Sequence, residues 1–188
     1  MPALPGEMGQ NRMLSGAGER GDMRVLVIVA SKHGSTAEIA AALGEGLAGR
    51  GIVAAVNDAA DVSDIEGYDA VVLGSAVYAG RWMKSIRELV ELRHEDLAAR
   101  PVWLFSSGPV GEPLRPTEDP VDVATIASAI GARGHRVFPG KLDKSKLSLA
   151  EKALVMSLHV AEGDFRNWDE VAAWAGEIAD ALGRGGTG

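Results

Sequence analysis

The 188-residue sequence contains no cysteine. Disulfides, cysteine-held iron–sulfur clusters and thiol chemistry are thereby excluded, so any redox role rests on a bound organic cofactor. Positive charge is also in deficit: 19 Lys and Arg stand against 26 Asp and Glu, for a net charge of -7. Such a balance argues against nucleic acid as a partner and suits docking to basic redox proteins. Long apolar runs are missing as well. Although 46% of the residues are hydrophobic, no stretch reaches the ~20 residues that a membrane-spanning helix requires. Residues 1–22 hold nothing like a signal-peptide core, and a cytoplasmic location is expected.

What is present is enough chain for one domain with a substantial core. Residues 1–22 are Gly-rich, carry Pro2 and Pro5 and lack periodicity. They read as a flexible extension, with the folded unit at 23–182 and a disordered tail at 183–188. Within the folded unit, strand and helix patterns alternate. Strands are expected near residues 25–29, 52–56, 70–74, 102–106 and 135–139. Helices are expected near 37–49, 84–93, 121–130 and 168–182, the last with Val171, Trp174, Ala175, Ile178 and Leu182 on one stripe. This alternation predicts an α/β fold of three layers. Its five-stranded parallel sheet has the order 2-1-3-4-5 and helices on both faces.

That strand order places a ligand crevice at the carboxyl ends of the strands, where the order reverses between the first and third. The turn after the first strand is Ser31-Lys32-His33-Gly34-Ser35-Thr36. It is a short hydroxyl-rich turn that delivers a buried strand to a helix N-terminus. Backbone N–H groups and the helix dipole favour a phosphate dianion there. An ordinary N-capped turn is the plainer alternative. The glycine-lysine-serine/threonine ending of nucleoside-triphosphatases is absent, as is the three-glycine dinucleotide fingerprint.

After the third strand come Ser75, Ala76, Val77, Tyr78, Ala79, Gly80, Arg81 and Trp82; after the fourth come Ser107, Gly108, Pro109, Val110 and Gly111. Small residues allow close backbone approach to a flat, polar-edged ligand. Tyr78 is assigned to stacking on such a ligand, whereas Trp82 fits stacking and core packing equally well.

The string at residues 31–36 fits the pattern serine/threonine-x-threonine/serine/histidine-glycine-x-threonine in full, and so resembles a flavodoxin phosphate loop. With the two later loops in the same order, residues 23–182 resemble a short-chain, flavodoxin-like FMN domain. The run Gly163-Asp164-Phe165-Arg166-Asn167-Trp168-Asp169 and the turn Phe138-Pro139-Gly140-Lys141-Leu142-Asp143 are similar to the group that includes menaquinone-dependent protoporphyrinogen dehydrogenase. The resemblance implies FMN, a redox partner protein or quinone, and either electron transfer or FMN-dependent oxidoreduction. It implies that Ser31, Lys32, His33, Gly34, Ser35 and Thr36 hold the phosphate. Ser75, Ala76, Val77, Tyr78, Ala79, Gly80 and Trp82 would flank the ring, and Ser106, Ser107, Gly108 and Gly111 would close its other edge. Haem biosynthesis is the narrower implication. The basic, aromatic-rich stretch of that dehydrogenase is missing here, which sets the porphyrin substrate apart from the flavin. A flavin-free interaction module is the alternative of a different class. A phosphoacceptor receiver is disfavoured, because Ser31 and Ser75 stand where it needs acidic residues.

Residues 141–163 exceed a simple connection. Helical character at 147–160 puts Leu147, Leu154 and Leu158 on one face. Either that face packs on the sheet, or with Lys141, Lys144, Lys146 and Lys152 it meets a membrane surface, a quinone or a partner subunit. His94, His135 and His159 show no metal-ligand spacing.

Overall fold

The computed structural model describes residues 12–14, 21–111 and 117–185. Its strands, in chain order, begin with the short β1 (Arg12–Leu14) and continue with β2 (Arg24–Ala30), β3 (Val53–Asp58) and β4 (Ala70–Tyr78). A two-residue β5 (Arg81–Trp82) precedes β6 (Val102–Ser107) and β7 (Gly134–Phe138). The main sheet has the order β1-β3-β2-β4-β6-β7. Its five parallel strands, β2, β3, β4, β6 and β7, thus lie 2-1-3-4-5 when counted along the chain, as the alternation predicts. Strand β1 runs antiparallel along the β3 edge, within the segment expected to be an extension without structure. The rest of 1–20 lies outside the described residues.

Side-chain alternation on β2 divides the core in two, because successive residues of a strand point to opposite faces. Val25, Val27 and Val29 pack with α1 (Ser35–Ala48) and α5 (Trp168–Gly185). Leu26, Ile28 and Ala30 pack with α2 (Lys84–Ala98) and α3 (Val123–Ile130). The stripe expected on α5 is buried throughout, from Val171 to Leu182. The helix also continues to Gly185, into the part of the chain expected to be a tail, while residues 186–188 lie outside the described residues. Each fully buried Val, Leu or Ile contributes roughly 1.5–3 kcal/mol, so this two-faced core fixes the strand ends to which the loops attach. Close packing reaches its limit at Gly74, where a Cβ would stand 2.0 Å from the Phe105 ring on the neighbouring strand.

Two further regions differ from the sequence expectation. Ser75 to Tyr78 is not loop: β4 runs on through it and turns back as β5. Ala79 and Gly80 both take positive φ, of 48° and 72°, the requirement of a two-residue hairpin turn. The segment before α5 forms a small excursion. Strands β8 (Lys141–Leu142) and β9 (Gly163–Asp164) pair antiparallel and bracket α4 (Leu149–Ser157). α4 is not packed on the sheet, and none of its residues is buried. The β8–β9 ribbon carries it over the β2–α1 turn instead. Among the described residues, no helix is long and apolar enough to cross a membrane.

Candidate functional site

β2 ends at Ala30 and α1 begins at Ser35. Gly34 is the N-cap, with φ 90° and ψ -20°, a left-handed conformation that an L side chain resists. Its N–H donates to Ser31 Oγ at 3.2 Å, which tightens the turn. Among the described residues, no side chain caps α1. The first-turn amides of a helix have no intrahelical acceptor, so this terminus presents donors and the positive dipole end to an incoming anion. Ser35 Oγ accepts from the Lys141 N–H at 3.1 Å, and its own O–H stays available to donate.

This turn forms one wall of a cleft of about 260 Å³. Ala76, Val77 and Tyr78 from the end of β4 form a second wall, and Ser107, Gly108 and Val110 a third. Residues 140–143, Lys146, Leu147, Glu151, Leu154 and Val155 close the fourth side. The Tyr78 ring is partly exposed, with Lys32 Nζ 5.1 Å from its centroid and the His33 ring edge-on at 6.2 Å. Burial, reinforced by the negative charge of Glu151, pushes the Tyr78 phenol up to about 12, so it stays neutral at physiological pH.

Several residues expected at the ligand lie elsewhere. Ser75 is fully buried; its hydroxyl donates to Ala76 O at 2.8 Å and accepts from the Met83 N–H at 2.9 Å. Trp82 is core, not a stacking ring: it is 2% exposed, and its indole Nε1 donates to Ser106 Oγ at 2.7 Å. Ser106 also lies 2.8 Å from His135 Nε2, and Asp119 stands 3.8 Å beyond at Nδ1. The order Ser–His–Asp imitates a nucleophile and its base, yet Ser106 is wholly enclosed. No substrate reaches it, and the chain of contacts satisfies buried polar groups. Ala79 and Gly80 are spent on the hairpin turn, and neither they nor Gly111 line the cleft. Ser75 and Ser106 sit deeper in β4 and β6 than the residues that reach the cleft. A run of small residues conceals in the sequence where the strand ends and its turn begins.

Two functional side chains come from far along the chain. Glu151 Oε1 accepts from Lys32 Nζ at 2.6 Å and lies 3.2 Å from His33 Nε2. Its Oε2 accepts from the Ser148 N–H, completing a capping box on α4. Hydrogen bonds from Lys32 and then from Ser148 hold this carboxyl well below the usual carboxylate range. Arg166 is a clamp. Its Nε and Nη2 fork onto Asp164 at 2.8 and 2.6 Å. Its Nη1 donates to Glu38 Oε2 at 2.7 Å and to Ser35 O at 3.3 Å. The first turn of α1 is thereby fastened to the β9–α5 corner. In the sequence, the helical pattern at 147–160 and the capping-box pair Ser148 and Glu151 mark α4, and Arg166 falls within the run 163–169, but neither says what these side chains touch.

The flavodoxin domain family matches residues 26–167 of the chain. The chain belongs to the flavodoxin domain family. Solved structures agree with this fold. A flavodoxin from the domain Archaea superposes with a TM-score of 0.59 at 17% identity, covering 85% of this chain and 99% of that one. A point mutant of the flavodoxin from Pseudomonas aeruginosa gives 0.56 at 15% identity, with 85% and 99% covered. The rubredoxin oxygen:oxidoreductase of Desulfovibrio gigas gives 0.60 at 15% identity; 86% of this chain corresponds to 36% of that larger protein. No curated protein matches the sequence.

FMN is the cofactor of flavodoxins. The cleft fits its parts. An uncapped helix terminus with hydroxyls on either side of Gly34 suits a phosphate, and the ends of β4 and β6 with the Tyr78 ring suit a flat heterocycle.

Proposed function

We propose that this chain is an FMN-dependent electron-transfer flavoprotein. Ser31, Ser35, Thr36 and the first-turn amides of α1 bind the phosphate. Tyr78 packs on the ring, while Ala76, Val77, Ser107 and Gly108 line its edges. Bound FMN supplies one- and two-electron redox chemistry, and the protein supplies position and electrostatics. Tyr78 keeps its proton and serves as a neutral surface. Lys32 brings positive charge to the phosphate end, and His33 offers a ring nitrogen there. The observation that carries this reading is the uncapped α1 terminus opening into the same cleft as the strand ends and Tyr78.

A second reading is a quinone-linked dehydrogenase, of the kind that oxidises protoporphyrinogen. It is favoured by Leu149, Leu154, Met156 and Leu158, which are exposed on the segment that closes the cleft, with Lys144, Lys146 and Lys152 among them. That surface suits an apolar acceptor drawn from an anionic lipid surface.

Absorbance of the protein titrated with FMN tests the first reading. Yellow protein whose flavin is lost on replacing Ser35 and Thr36 by Ala supports it. Protein that takes up no FMN refutes it. Steady-state reduction of a menaquinone analogue, with protoporphyrinogen as donor, separates the two readings.

A further inference from the structure

A flavin phosphate entering this cleft meets two hydrogen-bonding side chains on the loop itself, the cationic Lys32 and the imidazole of His33. Both already face one oxygen of Glu151, at 2.6 and 3.2 Å. Among the described residues, the other carboxylates of the cleft are engaged elsewhere: Glu38 with Arg166, and Asp143 with Ser145. Glu151 is therefore the anion that offsets the positive charge of the phosphate loop. It is held there from behind, because its second oxygen belongs to the α4 capping box. No buried residue anchors α4, so that carboxylate and the Lys146 contact to His33 O at 3.5 Å tie the segment to the loop.

We propose that Glu151 is a specificity-determining residue: its carboxylate competes with the flavin phosphate for Lys32 and His33, and so sets how strongly the protein prefers a phosphorylated flavin over a phosphate-free one. The inference rests on the FMN reading above. A dianion brought beside a fixed carboxylate is opposed by Coulomb repulsion, and Lys32 and His33 cannot serve both anions fully. The Lys32 side chain is 48% exposed, so solvent screens the effect to about fivefold in affinity rather than orders of magnitude. Riboflavin carries no phosphate and is indifferent to Glu151.

The test titrates the purified protein, freed of flavin, with FMN and with riboflavin and follows quenching of flavin fluorescence. Glu151→Gln removes the charge and keeps an acceptor for the Ser148 N–H, so the cap survives. FMN is expected to bind the variant about fivefold tighter, a gain that shrinks as salt is raised, with riboflavin affinity unchanged. Glu151→Ala, which also loses the cap and frees α4, weakens both flavins alike through the lost wall, while the FMN-to-riboflavin affinity ratio still rises about fivefold. Unchanged or weaker FMN binding by Glu151→Gln overturns the proposal, as do parallel changes for both flavins. Wild-type protein that binds FMN while failing this comparison leaves the FMN reading standing. Binding of neither flavin by any of the proteins sinks both.

Discussion

Arg166→Met tests how the last corner of the fold controls the β2–α1 turn. The guanidinium is 3% exposed and makes side-chain hydrogen bonds to Asp164, Glu38 and the Ser35 carbonyl. It also lies 4.5 Å from the Trp168 ring centroid. The carboxylates at the far ends are 41% and 51% exposed. They rehydrate when the arginine is lost, so the two ion pairs together contribute about 1 kcal/mol rather than the several expected of a dry pair. The bond to Ser35 O and the contact with Trp168 add about 0.5–1 kcal/mol each. The methionine stem retains most of the apolar packing. A loss of about 2–3 kcal/mol follows. Urea denaturation is the assay: the midpoint falls and the slope stays constant, because the surface exposed on unfolding is unchanged. FMN binding weakens several-fold, since Ser35 is no longer tied to the β9–α5 corner. Arg166→Lys recovers at most half of the stability, because one ammonium cannot fork onto Asp164 and reach Glu38 and Ser35 together. A wild-type urea midpoint in Arg166→Met would refute the clamp.

Two other outcomes are expected. Gly74→Ala forces a methyl into the Phe105 ring, which Phe138 and Trp174 hold from behind with centroids 6.0 and 6.2 Å away. A cost of about 3 kcal/mol lowers the thermal midpoint by roughly 6–12 °C, and an unchanged midpoint contradicts the packing. Burial pushes the His135 imidazole below its ordinary 6.5, with Asp119 offsetting part of the shift. The unfolded chain then binds a proton that the folded chain refuses, so this contribution is complete above pH 6.5 and is lost as pH falls through 6.5 toward the folded value. Thermal midpoints from about pH 7.5 to 5 are expected to fall more steeply for wild type than for His135→Gln, and parallel profiles count against the burial argument.

The order of the parallel strands, the two-sided core and the turn at residues 31–36 were all readable from local signals. Continuous apolar runs such as Val25 to Val29 mark strands covered on both faces, and a stripe of 3.6-residue period marks α5. Ser75 was misplaced, and Trp82 was left between stacking and core, for a local reason: a run of small residues hides whether a strand has ended. Neighbouring residues could not reveal that the Trp82 indole reaches Ser106 across the sheet. By itself, the sequence determined the chemistry on offer: no thiols, a hydroxyl-rich turn before a helix, and strands alternating with helices. Only the tertiary structure decided which groups meet at that turn. Glu151 lies 119 positions from Lys32, and Arg166 lies 131 positions from Ser35. Nothing local correlates residues so far apart. They are brought together by the β8–β9 ribbon, which lifts α4 off the sheet and over the β2–α1 turn, and by the packing of α5 beside α1.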